Sequence, residues 1–218
     1  GTDGTLIRQL TKGNWIVNEI VGFNKKTQEI IFSGTKESPL QKNVYAVNVV
    51  TAKMRSLSKT LASHQVASSA DGNYLIDVYS NRLTPRNIEV VNVNTLADKR
   101  IFTASDPLRE YQTANIELVK LYGADSTLLY GKLILPQDFD ANKKYPVIVY
   151  LYNGPHVQLI KDAFPYSGNL WYDYLTQNGY IVFTMDGRGS SNRGFQFESA
   201  IHRQLGTLEM EDQLIGVS

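Results

Sequence analysis

The chain has 218 residues, 42% hydrophobic content and a formal net charge of +1, which reads as soluble globular material with room for one large domain or two modest ones. No run of like charge marks a nucleic-acid or anionic-membrane surface, and no apolar stretch of about 18 residues is present to span a bilayer. With no cysteine, disulfides, thiolate-bound zinc, iron–sulfur clusters and a thiol nucleophile are excluded, while reducing and oxidising compartments fit equally well. The chain opens at Gly1 rather than Met, with no charged-then-apolar leader.

The first half repeats itself. Residues 44–51 (VYAVNVVT) align with 88–95 (IEVVNVNT) at an offset of about 44 residues, so that Asn48 and Thr51 fall on Asn92 and Thr95; propeller blades repeat at roughly 40–50. Each copy is preceded by an apolar run, Glu29–Ser33 or Tyr74–Tyr79, and followed by a short strand, Met54–Leu57 or Arg100–Thr103, with turns such as Asp71-Gly72 between strands. Leu6–Leu10 reads as a further copy of the last strand alone. About two blades are therefore expected, behind the outer strand of a third. Two blades cannot close a ring, which implies truncation on the N-terminal side. An open β-sandwich with similar hairpins is the alternative.

From about Asn115 the pattern changes. Ile116–Tyr122 and Thr127–Leu135 read as an antiparallel pair joined by Gly123–Ser126 and ended by Pro136. Val147–Tyr152 is a nearly continuous apolar run, as for a strand of a parallel sheet covered on both faces. The spacing then predicts a helix over 169–178, with Leu170, Trp171, Tyr174 and Leu175 on one face, Asn169 as cap and Gly179 as stop. Tyr180–Met185 returns as a strand, completing a crossover unit with site loops at the strand C-termini. Thr207–Ile215 reads as a helix with acidic residues in its first turn that is still running when the sequence ends, which implies truncation there too. The fold class is thus mixed: partial all-β propeller blades over residues 1–114, then the N-terminal part of an α/β-hydrolase domain over 115–218.

Candidate chemistry is sparse. Gly187–Gly194 (GRGSSNRG) fails as a nucleotide loop, since Asn192 stands where the third glycine of G-x-G-x-x-G belongs. Gly216-Val-Ser218 could open a G-x-S-x-G elbow, but acidic, helical residues precede it instead of an apolar strand. His64, His156 and His202 match neither triad order nor metal-ligand spacing and read as surface or structural residues. The 153–168 loop is long for a strand-to-helix connection, which suggests a functional or interface loop.

Several phrases taken together resemble the prolyl oligopeptidase family, in its dipeptidyl peptidase IV and prolyl tripeptidyl peptidase branch. These are Tyr145-Pro146, Tyr152-Asn-Gly-Pro155, Asp186-Gly-Arg-Gly-Ser190, Ile201-His-Arg203, Leu205-Gly-Thr207 and Glu211-Asp-Gln213, with Leu10–Trp15 and Phe32–Ser38 upstream. The resemblance implies a propeller capping a hydrolase domain and a serine exopeptidase that removes N-terminal di- or tripeptides after proline, more weakly after alanine. Its substrate would be a peptide with proline second or third. It also implies no metal or organic cofactor, a homodimer, and a periplasmic, cell-surface or secreted setting. By resemblance Tyr152 is the oxyanion donor and Asp186 and Arg188 are structural residues near the site; on the residues alone, Tyr152 reads as a core aromatic like Tyr150. The nucleophile, acid and histidine of the triad are absent from this sequence, so the 218 residues alone are expected to be inactive. The alternatives are a non-catalytic homologue acting as an interaction module and a general α/β esterase.

Overall fold

The computed structural model describes residues 3–152 and 154–218. The chain divides into two compact units after Ala104, and each is treated by itself.

The first unit holds two four-stranded antiparallel sheets, each a simple meander. One contains β1 (Val17–Asn24), β2 (Glu29–Gly34), β3 (Asn43–Asn48) and β4 (Met54–Ser56); the other contains β5 (Ser63–Ser68), β6 (Tyr74–Asn81), β7 (Thr84–Asn92) and β8 (Asp98–Thr103). These are two successive propeller blades. Their shared core joins Ile31, Val44, Ala46 and Leu57 to Leu75, Val91 and Val93, all of them buried.

The repeat has a local cause. Asn48 Oδ1 accepts the backbone N–H of Val50 and Thr51 at 2.9 and 2.8 Å, and Asn92 Oδ1 accepts those of Asn94 and Thr95 at 2.9 and 3.1 Å. In each turn the Thr hydroxyl then accepts the N–H two residues on, at 3.3 Å, and a left-handed residue follows, Ala52 at φ 54° or Leu96 at φ 58°. An Asn at the first position can cap its own turn in this way, so the same side chain appears wherever the third strand returns to the fourth.

Asp71-Gly72 lies in the β5–β6 turn as expected, and its glycine is obligatory on two counts. Gly72 sits at φ +71°, and a Cβ there would stand 2.6 Å from Asn24 Cα and 2.7 Å from Asn24 N, at the end of β1. The same contact lets Asn24, which is fully buried, donate to the Gly72 carbonyl at 2.9 Å. Gly72→Ala should therefore lower unfolding free energy by about 2 kcal/mol or more, read as a drop in the urea midpoint.

Two features of this unit depart from the sequence reading. Leu6–Leu10 forms no strand, and Leu6 and Ile7 are 84% and 83% exposed, while Leu10 packs against the cluster of Phe32, Tyr45 and Val47. The inner strands β1 and β5, unread in the sequence, head the two blades.

In the second unit β9 (Asn115–Tyr122) and β10 (Leu128–Leu135) pair antiparallel, as the sequence predicts. β11 (Val147–Val149), α1 (Leu170–Gln177) and β12 (Ile181–Asp186) form the crossover, with β11 parallel to β12. The sheet order is β11-β12-β10-β9, and α2 (Phe195–Ser199) and α3 (Leu208–Val217) follow. Leu129, Phe183, Met185 and Phe197 form its buried core.

Here the apolar run 147–152 supplies a strand of only three residues, extended by one further bond from Tyr150 N to Phe183 O at 2.8 Å. Among the described residues it pairs only with β12, at the edge of the sheet, and Val147 and Val149 are exposed rather than covered on both faces. Asn169 does cap α1, accepting Trp171 N at 2.9 Å. The helix nevertheless turns Asp173 and Thr176 inward and leaves Leu170, Trp171 and Tyr174 exposed. That orientation is held by polar bonds: Asp173 Oδ1 accepts Ala114 N at 2.9 Å, and the Thr176 hydroxyl donates to Asp173 O at 2.8 Å. α3 likewise buries Glu209, Asp212 and Gln213. It continues through Gly216 and Val217, so those residues are helical and form no nucleophile elbow.

Candidate active site

Tyr152 follows the C-terminal end of β11, and its side chain is exposed. The ring lies over Gly154, where a Cβ would stand 2.9 Å from both Cδ1 and Cζ of the phenol; only glycine leaves room for that packing. Asn153, between them in the Tyr-Asn-Gly-Pro phrase, lies outside the described residues. Tyr152, Val157, Leu159, Asp186, Gly187 and Ser190 line a small cleft. The cleft thus joins the end of β11 to the end of β12, where a crossover sheet places its ligands.

Asp186, at the end of β12, is buried and accepts Leu159 N and Ile160 N at 2.8 and 2.9 Å. Burial pushes its pKa above the usual carboxylate value, against the two N–H bonds and the nearby Lys161 and Lys132. Its carboxylate is thereby committed to the loop that follows Tyr152, which is further held by Ser191 N to Val157 O at 3.2 Å and Asn192 Nδ2 to Gln158 Oε1 at 2.7 Å.

Arg188 is buried two residues on. Its Nε and Nη2 donate to Asp212 Oδ2 and Oδ1 at 3.0 and 2.7 Å, its backbone N–H donates to Asp212 Oδ2 at 2.8 Å, and Nη1 reaches Asp125 Oδ2 at 2.9 Å. The Asp212 carboxylate raises the pKa of the guanidinium still further. This fork ties the β9–β10 turn to α3 beneath the cleft. Ser190 Oγ donates to the Gly187 carbonyl at 2.9 Å, a bond that closes the loop.

Lys132 and Arg193 went unread in the sequence. Lys132 stands in the middle of the apolar run of β10 and is 3% exposed; a lone lysine in such a run was the available signal. Arg193 donates to Leu128 O at 2.7 Å, with its guanidinium 4.3 Å from the centre of the Phe197 ring and 5.2 Å from that of Tyr130.

The histidines do not join this cleft. His64 is buried in the second blade, with Nδ1 2.9 Å from both oxygens of Asp77, Nε2 2.9 Å from the Thr60 carbonyl and its ring stacked on Tyr79. Every polar position of the ring is engaged structurally. His156 and His202 are exposed. Among the described residues no group of His, Asp and Glu is placed to hold a metal ion, and no helix is long and apolar enough to cross a membrane.

Comparison with known proteins agrees with the fold. Residues 1–86 match the dipeptidyl peptidase IV N-terminal region, and residues 168–218 match the prolyl oligopeptidase family. Human dipeptidyl peptidase 8 is 30% identical over 95% of the chain, and dipeptidyl peptidase 4 of Trichophyton rubrum is 30% identical over 97%. Among solved structures, a Bacteroides ovatus protein assigned as a dipeptidyl aminopeptidase IV superposes with a TM-score of 0.89 at 42% identity over 96% of the chain. Porphyromonas gingivalis dipeptidyl peptidase 4 gives 0.85 at 29% over 97%. The chain spans 25% and 28% of the two curated relatives and 30% of each solved chain. Two consecutive blades leading into a crossover sheet, and the family phrases at the ends of its strands, make this chain a member of the prolyl oligopeptidase family, of the dipeptidyl peptidase IV type.

Proposed function

We propose that this chain supplies two propeller blades and the first part of the hydrolase domain to a serine exopeptidase that releases N-terminal di- or tripeptides after proline. The observation that carries the reading is Tyr152, an exposed phenol at the end of β11, folded over Gly154 at the mouth of the cleft. An acyl-transfer enzyme needs a fixed donor where negative charge develops on the scissile carbonyl oxygen. Tyr152 is the residue here with the donor chemistry and the exposure to serve.

In this reading a serine elsewhere in the full-length protein attacks the prolyl carbonyl, and the Tyr152 hydroxyl donates to the oxygen as it becomes tetrahedral. Asp186 and Arg188 act on the reaction only by holding the loops around the cleft. The 218 residues contain no complete G-x-S-x-G, so by themselves they should not turn over substrate. A homodimer in a periplasmic, cell-surface or secreted setting fits the same reading.

The test is to assay the full-length protein on chromogenic reporters with proline at the second or third position, with and without an organofluorophosphonate. Release of the reporter, abolished by the inhibitor, is the expected result, and the preferred reporter separates dipeptide from tripeptide release. No turnover of either, together with no labelling of a serine, would replace this reading with an interaction module.

A further inference from the structure

Lys132 is an expensive residue in a place where an apolar one would do. Its neighbours along β10 are apolar, and burial, the largest influence on it, holds its pKa down to about 8. An ammonium whose proton affinity falls on folding opposes folding. What it touches accounts for its presence. Nζ donates to the Tyr166 carbonyl at 2.6 Å and lies 4.1 Å from the centre of the Tyr166 ring, while Asp162 and Asp186 favour its charged form.

Tyr166 belongs to the segment that runs from Gly154 to the cap of α1 without helix or strand. The near half of that segment, Val157–Ile160, is fastened to Asp186, Ser191 and Asn192. Lys132 fastens the far half to β10, an inner strand of the sheet.

We propose that Lys132 is a positioning residue for the Tyr152 cleft, its charged ammonium pinning the far half of the segment so that the cleft wall and Tyr152 meet a substrate in one arrangement. This rests on the peptidase reading above. The charged groups that act on it are Asp162 on the segment and Asp186 on β12; Lys161 and Arg193 act in turn with Asp186.

The pH behaviour follows with a definite sign. As pH rises through about 8 the folded lysine loses its proton, and with it the attraction to the Tyr166 ring and to the two carboxylates. An unfolded lysine keeps its proton up to about 10.4, so across that interval rising pH relieves the penalty this group puts on folding and unfolding becomes progressively harder. The pin therefore releases on the alkaline side while its contribution to global stability rises.

The experiment uses the full-length protein. Lys132→Met should lower kcat on a prolyl reporter at pH 7 by about tenfold or more, change KM little, and leave Tm equal or higher, since it removes a buried charge. Lys132→Arg keeps a donor that stacks on an aromatic ring and stays charged; it should recover most of kcat and remove the alkaline fall near pH 8. Wild-type kcat in Lys132→Met, or an alkaline fall unchanged in Lys132→Arg, overturns the proposal. Should the wild-type protein show no prolyl peptidase activity, the functional reading fails by itself. The pin is then judged by amide protection factors over residues 159–166, which should fall above pH 8 in wild type and not in Lys132→Arg; equal protection across that range would overturn it.

Discussion

On the proposed peptidase reading, Tyr152→Phe should lower kcat of the full-length protein by about 10²–10³, the cost of losing one donor to a developing oxyanion, while leaving KM and the unfolding midpoint close to wild type. The split follows from the geometry. The phenol is 58% exposed, so its hydroxyl is free to meet substrate and its loss leaves no buried group unpaired. The ring, which rests on Gly154, is kept by phenylalanine, so the packing at the mouth of the cleft survives. A donor used only in the transition state lowers kcat and kcat/KM together. Steady-state kinetics on a prolyl reporter would show this directly, and an unchanged kcat would return Tyr152 to the status of a surface aromatic.

The largest effect on stability is expected at Arg188. Arg188→Met should lower unfolding free energy by about 3–5 kcal/mol, because Asp212 is fully buried and the bonds to its carboxylate come from Arg188. The backbone N–H at 188 remains, but one neutral donor does not offset a carboxylate stranded without its guanidinium. Arg188→Met combined with Asp212→Leu should regain most of the loss, since the pair is then replaced by apolar groups. Urea denaturation of the single and double variants measures this. A single variant within about 1 kcal/mol of wild type would mean that Asp125 and solvent carry the fork.

How much of this was legible depended on whether the deciding contacts were local. The β3–β4 and β7–β8 returns were readable because Asn48 and Asn92 act on residues two and three positions on. The crossover unit was readable from its strand and helix periods, and α1 from its cap. β5, with the sequence SHQVAS, has no apolar pattern to find, and β1 pairs with two register shifts that break any regular alternation. The buried side of α1 was misread because its polar partner lies far away in sequence, Asp173 answering to Ala114, 59 residues back; for α3 no face was readable, since Asp212 answers to Arg188, 24 back. Tyr152 stood out through its Tyr-x-Gly-Pro phrase, not through any pattern of its own, and Lys132 went unread although it is a lone lysine in an apolar strand.

The two Asn-to-Thr returns carry one more implication. Each is built from a side chain, two backbone N–H groups, a hydroxyl and one left-handed residue, all within a stretch of a few residues. The instruction that sets where a blade's outermost strand begins therefore travels with the blade, even though the first blade's Arg55 and Asn24 also donate to Val93 O and Asn94 Oδ1 in the second return. A unit with that property can be copied, tandemly arrayed and allowed to diverge on its surfaces without being re-registered at each duplication. The drift between VYAVNVVT and IEVVNVNT around a fixed Asn and Thr is the record such a history would leave.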